Sequence, residues 1–224
     1  MATKGGPNIV TDGLVLYLDA ANPKSYPGSG TTWKDLSGNG NDGTLVNGVG
    51  YSEDNQGSMV FDGVDDVVDF QFQYSSTYSL AVWIRFTGLT GGNRAIVDMG
   101  AGIINSVRFY LQGEKVKIQH GSAFAEDGVF SSEDVVSNSY AQYLVTFSGG
   151  QCFLYKNGEL DNTGTLGNPQ TTLENIAIGN HPTGNGSSIN NLQCDFGLLQ
   201  AYNRALSEAE IKQNYNATKS RYGL

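Results

Sequence analysis

Nine consecutive residues, YSLAVWIRF at positions 78–86, decide the fold class. Large apolar side chains recur at every second position: Tyr78, Leu80, Val82, Ile84 and Phe86. Small, polar or indole side chains fill the positions between them: Ser79, Ala81, Trp83 and Arg85. Successive side chains of a β-strand point to opposite faces, so a period of two predicts a strand that lies over a hydrophobic core.

Similar strand-like segments recur along the chain, at 14–18, 58–61, 67–72, 95–99, 107–112, 115–119, 140–147, 152–156, 175–178 and 194–202. In KVKIQH, Val116 and Ile118 are predicted to face the core, whereas Lys115, Lys117 and Gln119 are predicted to face solvent. The dipeptide Asn157-Gly158 favours a type I′ hairpin, and Gly113 marks a second hairpin. These patterns predict an antiparallel, all-β protein.

Composition supports that fold class. The 224 residues include 30 glycines, and charged residues make up only 16% of the chain, as is typical of short strands joined by tight turns. We predict one domain over residues 1–224, with an N-terminal arm at 1–12. The cysteines Cys152 and Cys194 lie in apolar segments without metal-ligand spacing, and we predict buried thiols, with a disulfide as the alternative.

One helix is signalled near the C-terminus. Ser207 precedes EAEIKQNY, and Glu210 stands three residues later, the spacing of a capping box. The pattern predicts a short helix at 207–215. The residues after it, 216–224, are predicted to form a tail that packs on the domain or serves as a contact arm.

Net charge limits the partners of the chain. Twenty-two acidic and 13 basic side chains give a formal net charge of −9, which repels phosphate backbones, so we expect no nucleic-acid partner. No apolar run approaches the length of about 20 residues that a membrane span needs, and the first residues do not resemble a signal peptide. We expect no membrane span and synthesis in a cytoplasm.

Four ordered segments resemble the concanavalin A-like lectin/glucanase superfamily, in the laminin-G-like branch found in bacteriophage structural proteins. They are GLVLYLDAAN at 13–22, WKDLSGNGNDGTL at 33–45, MVFDGVDDVV at 59–68 and CDFGLLQAYNRALSEAEI at 194–211. The resemblance implies a two-sheet antiparallel β-sandwich of the jelly-roll type, with a concave sheet and loop rims available to ligands.

The chain departs from the catalytic members of that superfamily. Glucanases carry alternating carboxylates on one strand, as Glu-x-Asp-x-x-Glu or a close variant, and the sequence contains no such strand. Its densest acidic cluster, Asp62, Asp65, Asp66 and Asp69, is predicted to lie in a turn region. No nucleophile signature accompanies the two histidines, so we predict that the chain is not an enzyme and has no catalytic residues.

Carboxylates are the candidate metal ligands. Calcium takes six to eight oxygen ligands, and the resemblance implies one calcium near a sheet rim. Asp65, Asp66 and Asp195 are the candidate ligands for Ca²⁺, and no other cofactor is expected. The alternative is that these aspartates cap turns by accepting backbone N–H groups.

Aromatic rings and amides are the candidate sugar contacts. A sugar ring stacks its apolar face on an aromatic side chain, while amides bond its hydroxyls. Trp33, His181 and Asn185 are the candidate glycan-binding residues, the last two within the polar loop 180–191. The alternatives are core packing for Trp33 and a solvated loop for the other two.

The resemblance implies a non-enzymatic structural protein of a bacteriophage virion. As a capsid decoration, fibre or tail-associated subunit assembled in the host cytoplasm, it would contact other virion proteins, form a homo-oligomer and bind host-surface glycans. The alternative is a free, calcium-dependent carbohydrate-binding lectin. The two hypotheses differ in whether the rim around Trp33, Asp65 and His181 is open and binds calcium.

Overall fold

The protein folds into two antiparallel β-sheets packed face to face, with one C-terminal α-helix, in a computed structural model. This architecture confirms the predicted sandwich. The structure describes residues 7–73, 75–89, 91–99, 106–121, 128–169, 171, 173–180 and 189–224. No helix among these residues has the length and apolarity needed to cross a membrane.

The strands follow one another along the chain as β1 (Leu14–Asp19), β2 (Thr32–Trp33), β3 (Gly43–Val46), β4 (Gly50–Ser52), β5 (Ser58–Asp62), β6 (Val67–Gln73), β7 (Tyr78–Phe86), β8 (Asn93–Met99), β9 (Val107–Gln112), β10 (Lys115–His120), β11 (Val129–Phe130), β12 (Tyr140–Ser148), β13 (Gln151–Lys156), β14 (Glu159–Thr165), β15 (Leu173–Ile178), β16 (Ile189–Asn190) and β17 (Gln193–Tyr202). The order in sheet A is β14-β13-β12-β7-β17-β5-β4, and β1 also pairs with β17. The order in sheet B is β11-β10-β9-β8-β15-β6-β3-β2, and β16 pairs with β8.

The strand that decides the fold class sits in the middle of sheet A. Leu80, Val82 and Ile84 of β7 are fully buried in the core between the sheets, which confirms the predicted alternation. Trp33 reaches the same core from sheet B and packs edge-on against Phe196, with ring centroids 6.2 Å apart. The main core therefore joins the two sheets through large apolar side chains.

The middle of the outer face of sheet A is also buried. The indole of Trp83 stacks on Tyr222 at 4.2 Å and lies parallel to Tyr215 at 5.7 Å between ring centroids. Its Nε1–H donates to Thr218 Oγ1 at 2.9 Å. The C-terminal residues thus cover β7, and the middle of sheet A is packed on both sides.

The covering helix, α1 (Glu208–Thr218), begins where the capping box predicts. Ser207 Oγ accepts from the Glu210 N–H, and Glu210 Oε2 accepts from the Ser207 N–H at 2.8 Å. The helix continues three residues beyond the predicted end at 215, because Thr218 is held against Trp83. A 3₁₀ turn at Lys219–Tyr222 follows and carries the buried Tyr222 ring.

The described part of the N-terminal arm packs against the same helix. The Val10 N–H donates to Asn214 Oδ1 at 2.8 Å, and Tyr202 Oη donates to the Val10 carbonyl at 3.1 Å. Val10 is itself buried in a small apolar cluster with Ile211 and Leu206. Residues 8–10 are therefore part of the cover on sheet A.

Both predicted hairpins and both buried thiols are confirmed. Asn157 and Gly158 have φ values of 53° and 78°, the left-handed conformations that a type I′ turn requires. Gly113, at φ 62°, turns β9 into β10. Cys152 and Cys194 are free and buried, and burial raises the pKa of the Cys152 thiol to about 12.

Removal of the Tyr222 ring should expose Trp83. We expect Tyr222→Ala to lower the free energy of unfolding by about 3–5 kcal/mol, as for other buried aromatic truncations. Ser220→Ala, at an exposed position of the same turn, should change it by less than about 0.5 kcal/mol. Urea denaturation measures both values, and equal effects of the two variants would contradict the cover on sheet A.

Candidate functional site

The outer face of sheet B carries a row of exposed and half-buried polar side chains. Thr44 of β3 pairs with Asp69 of β6, and Gln71 of β6 pairs with Asn175 of β15. Directly paired residues of antiparallel strands point to the same face, so these four side chains share one surface. The alternate residue Phe70 is buried in the core, which fixes the row on the outside.

This row forms the floor of an open groove. The groove has a volume of about 460 Å³, and its lining is made of Gly40, Asn41, Asp42, Thr44, Asp69, Phe70, Gln71 and Asn175. Gln71 Nε2 donates to Asn175 Oδ1 at 3.2 Å, so the two amides are held side by side across the strands. The volume falls within the range of small-molecule sites, and the polar groups converge from three strands and one loop.

One wall of the groove is the loop between β2 and β3, which Asp35 organises. Its Oδ1 accepts from the N–H groups of Tyr17 and Ser37 at 2.9 and 2.8 Å, and its Oδ2 accepts from the Asn41 N–H at 3.1 Å. At the end of the loop, a Cβ on Gly43 would lie 2.8 Å from Val68 Cγ1. Glycine is therefore needed at position 43 for β3 to pair closely with β6.

Asp69 belongs to the groove and not to a turn. The sequence places it with Asp62, Asp65 and Asp66, but β6 begins at Val67 and carries the Asp69 carboxylate onto the outer face of sheet B. Burial raises the pKa of Asp69 above its ordinary value. The prediction of one acidic turn with four aspartates was wrong for this residue.

The other half of this face holds buried charges. Asp98 of β8 pairs with Arg108 of β9, and the guanidinium Nε lies 3.9 Å from Asp98 Oδ1. Both side chains are almost fully buried. Burial raises the pKa of Asp98 to about 7, and the Arg108 charge acts in the opposite direction.

Lys117 and Gln119 lie beside this pair and are buried, so their predicted exposure to solvent was wrong. The Lys117 Nζ donates to Gln112 Oε1 at 3.2 Å and lies 4.6 Å from the centre of the Phe130 ring. Tyr110 Oη donates to Gln119 Oε1 at 2.5 Å. The alternation of polar and apolar residues in β10 was read correctly, but its outer face is covered.

The candidate calcium ligands are only partly brought together. Asp62, Asp65 and Asp66 each offer a carboxylate oxygen, and these oxygens lie within 4.8 Å of one another, a spacing that suits a cation. The turn between β5 and β6 also has its own bonds, because Asp66 Oδ2 accepts from the Asp62 N–H at 2.9 Å. Burial and the neighbouring carboxylates Asp62 and Asp65 raise the pKa of Asp66.

Asp195 does not join this cluster. It lies on the outer face of sheet A, where its Oδ2 accepts from Arg85 Nε at 2.6 Å. The register of β7 and β17 places the two residues directly opposite each other, so the carboxylate is satisfied by an ion pair. Its prediction as a metal ligand is corrected.

The candidate glycan contacts have different outcomes. Trp33 is 0% exposed, so neither face of its indole is available to a sugar ring, and its assignment is corrected to the core. His181 and Asn185 lie outside the described residues, and their assignment stays a prediction. The groove residues Gln71, Asn175 and Thr44 were not predicted, although polar side chains at alternate positions of apolar strands are the signal that marks them.

A match to a known family identifies the superfamily of this fold. A laminin-G-like family model described as "Concanavalin A-like lectin/glucanases superfamily" matches residues 55–212. The chain belongs to this superfamily. Two of the four motifs that carry the resemblance, at 59–68 and 194–211, lie within the matched residues, and the other two precede them. No curated protein sequence matches the chain.

Solved structures share the fold of this superfamily member. The binding domain of Paraclostridial Mosquitocidal Protein 1 is 18% identical, with a TM-score of 0.70, and the match covers 92% of this chain and 52% of that one. Domain 4 of AbnA, an arabinanase from Geobacillus stearothermophilus, in complex with arabinotriose, is 15% identical, with a TM-score of 0.72 and coverage of 90% and 98%. The binding domain of Botulinum Neurotoxin DC in complex with SialylT is 14% identical, with a TM-score of 0.71 and coverage of 93% and 52%. The chain thus spans about half the length of the first structure.

The buried Asp98 predicts a pH-dependent stability. Its pKa is about 7 in the folded state against 3.8 as the ordinary value, so between these pH values the folded chain holds a proton that the unfolded chain has lost. Stability from this group therefore falls as the pH rises through that range. We expect the melting temperature of Asp98→Asn, relative to the wild type, to be higher at pH 8 than at pH 5.

The matched control is Asp134→Asn, which makes the same charge change at an exposed position. Its difference from the wild type should be nearly equal at the two pH values. A pH-independent loss of stability in Asp98→Asn would mean that Arg108 keeps the carboxylate ionised throughout.

Proposed function

We propose that this superfamily member is a non-catalytic carbohydrate-binding module whose glycan lies in the groove on the outer face of sheet B. The observation that carries the proposal is the in-register set of Thr44, Asp69, Gln71 and Asn175 on the floor of that groove. Sugar hydroxyls both donate and accept hydrogen bonds, and neighbouring amides and carboxylates match that chemistry. The strands hold these groups rigidly, which limits the entropy lost on binding.

The comparisons add support from proteins of the same fold. Domain 4 of AbnA was solved with arabinotriose, and the neurotoxin binding domain was solved with SialylT. Those ligands belong to those proteins, which share under 20% of their residues with this chain. They support the proposal because a sandwich of this architecture accommodates glycan ligands.

Two observations favour binding without catalysis. The sequence has no Glu-x-Asp-x-x-Glu strand. On the outer face of sheet B, Asp69 and Asp98 flank Ala177, which places their Cα atoms about two strand spacings, or roughly 10 Å, apart. Asp98 is 1% exposed and faces Arg108, so its carboxyl group is not presented to a ligand in the groove as a glycosidase acid would be.

We also propose that the turn between β5 and β6 binds Ca²⁺ through Asp62, Asp65 and Asp66. The turn leads directly into β6, and Asp66 precedes the groove residue Asp69 by three residues, or about 10 Å of extended strand. A cation there would brace the end of the strand that forms the groove floor. It would contact the groove only through that strand.

A second candidate role is that of a bacteriophage virion subunit, assembled in the host cytoplasm and bound to other virion proteins or to copies of itself. A largely apolar groove of about 220 Å³ at one end of strands β7, β12 and β13 of sheet A favours it. Val136 and Leu224 line this groove and are 62% and 49% exposed, so large apolar side chains meet solvent at one place. Exposed apolar patches of this kind mark contacts with other proteins.

Removal of the groove amides should abolish most glycan binding. We expect Gln71→Ala combined with Asn175→Ala to weaken the best glycan by about tenfold or more, because each lost hydrogen bond contributes about 1 kcal/mol. Glycan-array screening identifies the ligand, and titration calorimetry measures its affinity. The amide-matched control, Gln151→Ala combined with Asn216→Ala at exposed positions outside the groove, should bind as the wild type does.

A chain that binds no glycan, or a groove variant that binds as well as its control, would contradict the carbohydrate-binding proposal.

Light scattering and thermal melting with Ca²⁺ or with chelator test the remaining two proposals. We expect an oligomer that persists in chelator, with a melting temperature that falls when Ca²⁺ is removed. Asp65→Asn should lose that calcium-dependent shift, whereas the exposed Asp134→Asn should keep it. A monomer under both conditions would count against the virion role, and a melting temperature indifferent to chelator would count against the calcium site.

A further inference from the structure

The charges that line the groove are all of one sign. Asp42 stands on the loop wall and Asp69 on the floor, and the remaining polar lining consists of Asn41, Thr44, Gln71 and Asn175. No lysine, arginine or histidine is among the described residues that line it. A ligand placed there meets two carboxylates and no compensating cation.

Neither the basic residue that follows β2 nor the one on the same face of sheet B changes this sign. Lys34 follows β2 and is exposed to solvent, where its charge is screened, and it is not part of the lining. Arg108 lies on the same face of sheet B, but it is buried beside Asp98. The acidic excess of the whole chain, with its net charge of −9, adds repulsion at longer range.

We propose that the groove selects glycans without negative charge, that it favours residues bearing a free amine, and that it rejects carboxylated sugars such as sialic and uronic acids. The inference rests on the proposed glycan-binding function and specifies its ligand class. A carboxylate oxygen accepts hydrogen bonds only, so Asp42 and Asp69 pair with hydroxyl or ammonium donors and repel a sugar carboxylate. The amides Gln71 and Asn175 supply both donors and acceptors for the neutral hydroxyls.

The expected discrimination follows from the distance between like charges. Two unit charges about 4 Å apart in a water-like medium change an equilibrium by about fivefold, and a partly desolvated site increases the effect. We therefore expect an amine-bearing sugar to bind at least about tenfold more tightly than its carboxylated counterpart. Raising the salt concentration should narrow this difference, because both charges are reached by solvent.

The experiment compares matched ligands on the full chain by titration calorimetry. One pair is lactose and sialyllactose, a second is galactobiose and digalacturonate, and a third is an N-acetylglucosamine trimer and its de-acetylated amine form. We expect the neutral ligand to bind more tightly than the carboxylated one in the first two pairs, and the amine form to bind more tightly than the neutral one in the third.

Asp69→Asn identifies the source of the discrimination. It retains the shape of the side chain but removes the charge, and it should narrow the gap between neutral and carboxylated ligands. Asp42 is a poorer choice, because its Oδ1 accepts from the Asp35 N–H at 2.9 Å and helps to hold the loop. Asp134→Asn removes the same negative charge at an exposed, distant position and should leave the order of ligand affinities unchanged.

The outcomes separate the two proposals. A carboxylated ligand could bind as tightly as its neutral counterpart, or more tightly, and lose that binding in Gln71→Ala combined with Asn175→Ala. This result would overturn the charge selection but leave the glycan-binding groove supported. An unchanged gap in Asp69→Asn would also overturn it. The absence of binding to every ligand would overturn the proposed function itself, and the charge selection with it.

Discussion

The packing of Trp83 against Tyr222 determines which surface of this protein is open to a ligand. The strand that bears Trp83 buries one set of side chains between the sheets and the other set beneath the C-terminal residues. The neighbouring strands β12 and β17 are buried on both faces for the same reason. With the middle of the outer face of sheet A occupied in this way, the open polar groove of the sandwich lies on sheet B.

Sheet B divides into two halves that treat polar groups differently. On β8 to β10, Asp98, Arg108 and Lys117 are buried and held by one another, by amides or by aromatic rings. Buried ion pairs are costly to desolvate, so this pair is weak evidence for added stability. On β3, β6 and β15 the outward polar side chains Thr44, Gln71 and Asn175 stay exposed and Asp69 is half-buried, so their hydrogen-bonding groups can be reached by a ligand. The groove is therefore on the half of the sheet where binding costs the least rearrangement.

Sequence patterns predicted the elements that depend on local chemistry. The alternation in 78–86, the Asn157-Gly158 hairpin and the Ser207 capping box each follow from neighbouring residues, and each is present. The shortest strands, such as β2 and β4, were not predicted because two or three residues are too few to show a period of two. Each is defined by pairing with the next strand along the chain, β2 with β3 and β4 with β5.

The candidate site was predicted less well, because its residues are selected by register. Asp195 looks like a metal ligand until β17 is aligned with β7, which places Arg85 opposite it. Trp33 looks like a sugar platform until β2 is seen to point into the core. The residues that do meet, such as Gln71 and Asn175, are 104 positions apart in the chain. No local spacing relates them.

The division of each strand into inward and outward positions explains how structures with 14–18% identity superpose with TM-scores of 0.70–0.72. In a β-sandwich the inward positions need only be apolar and of suitable volume, and a strand's outward positions can change without disturbing them. The fold is therefore shared, while the outward residues of β3, β6 and β15 are free to differ between proteins. The ligand of this chain has to be inferred from its own outward carboxylates and amides, and not from the ligands of proteins that share only its core.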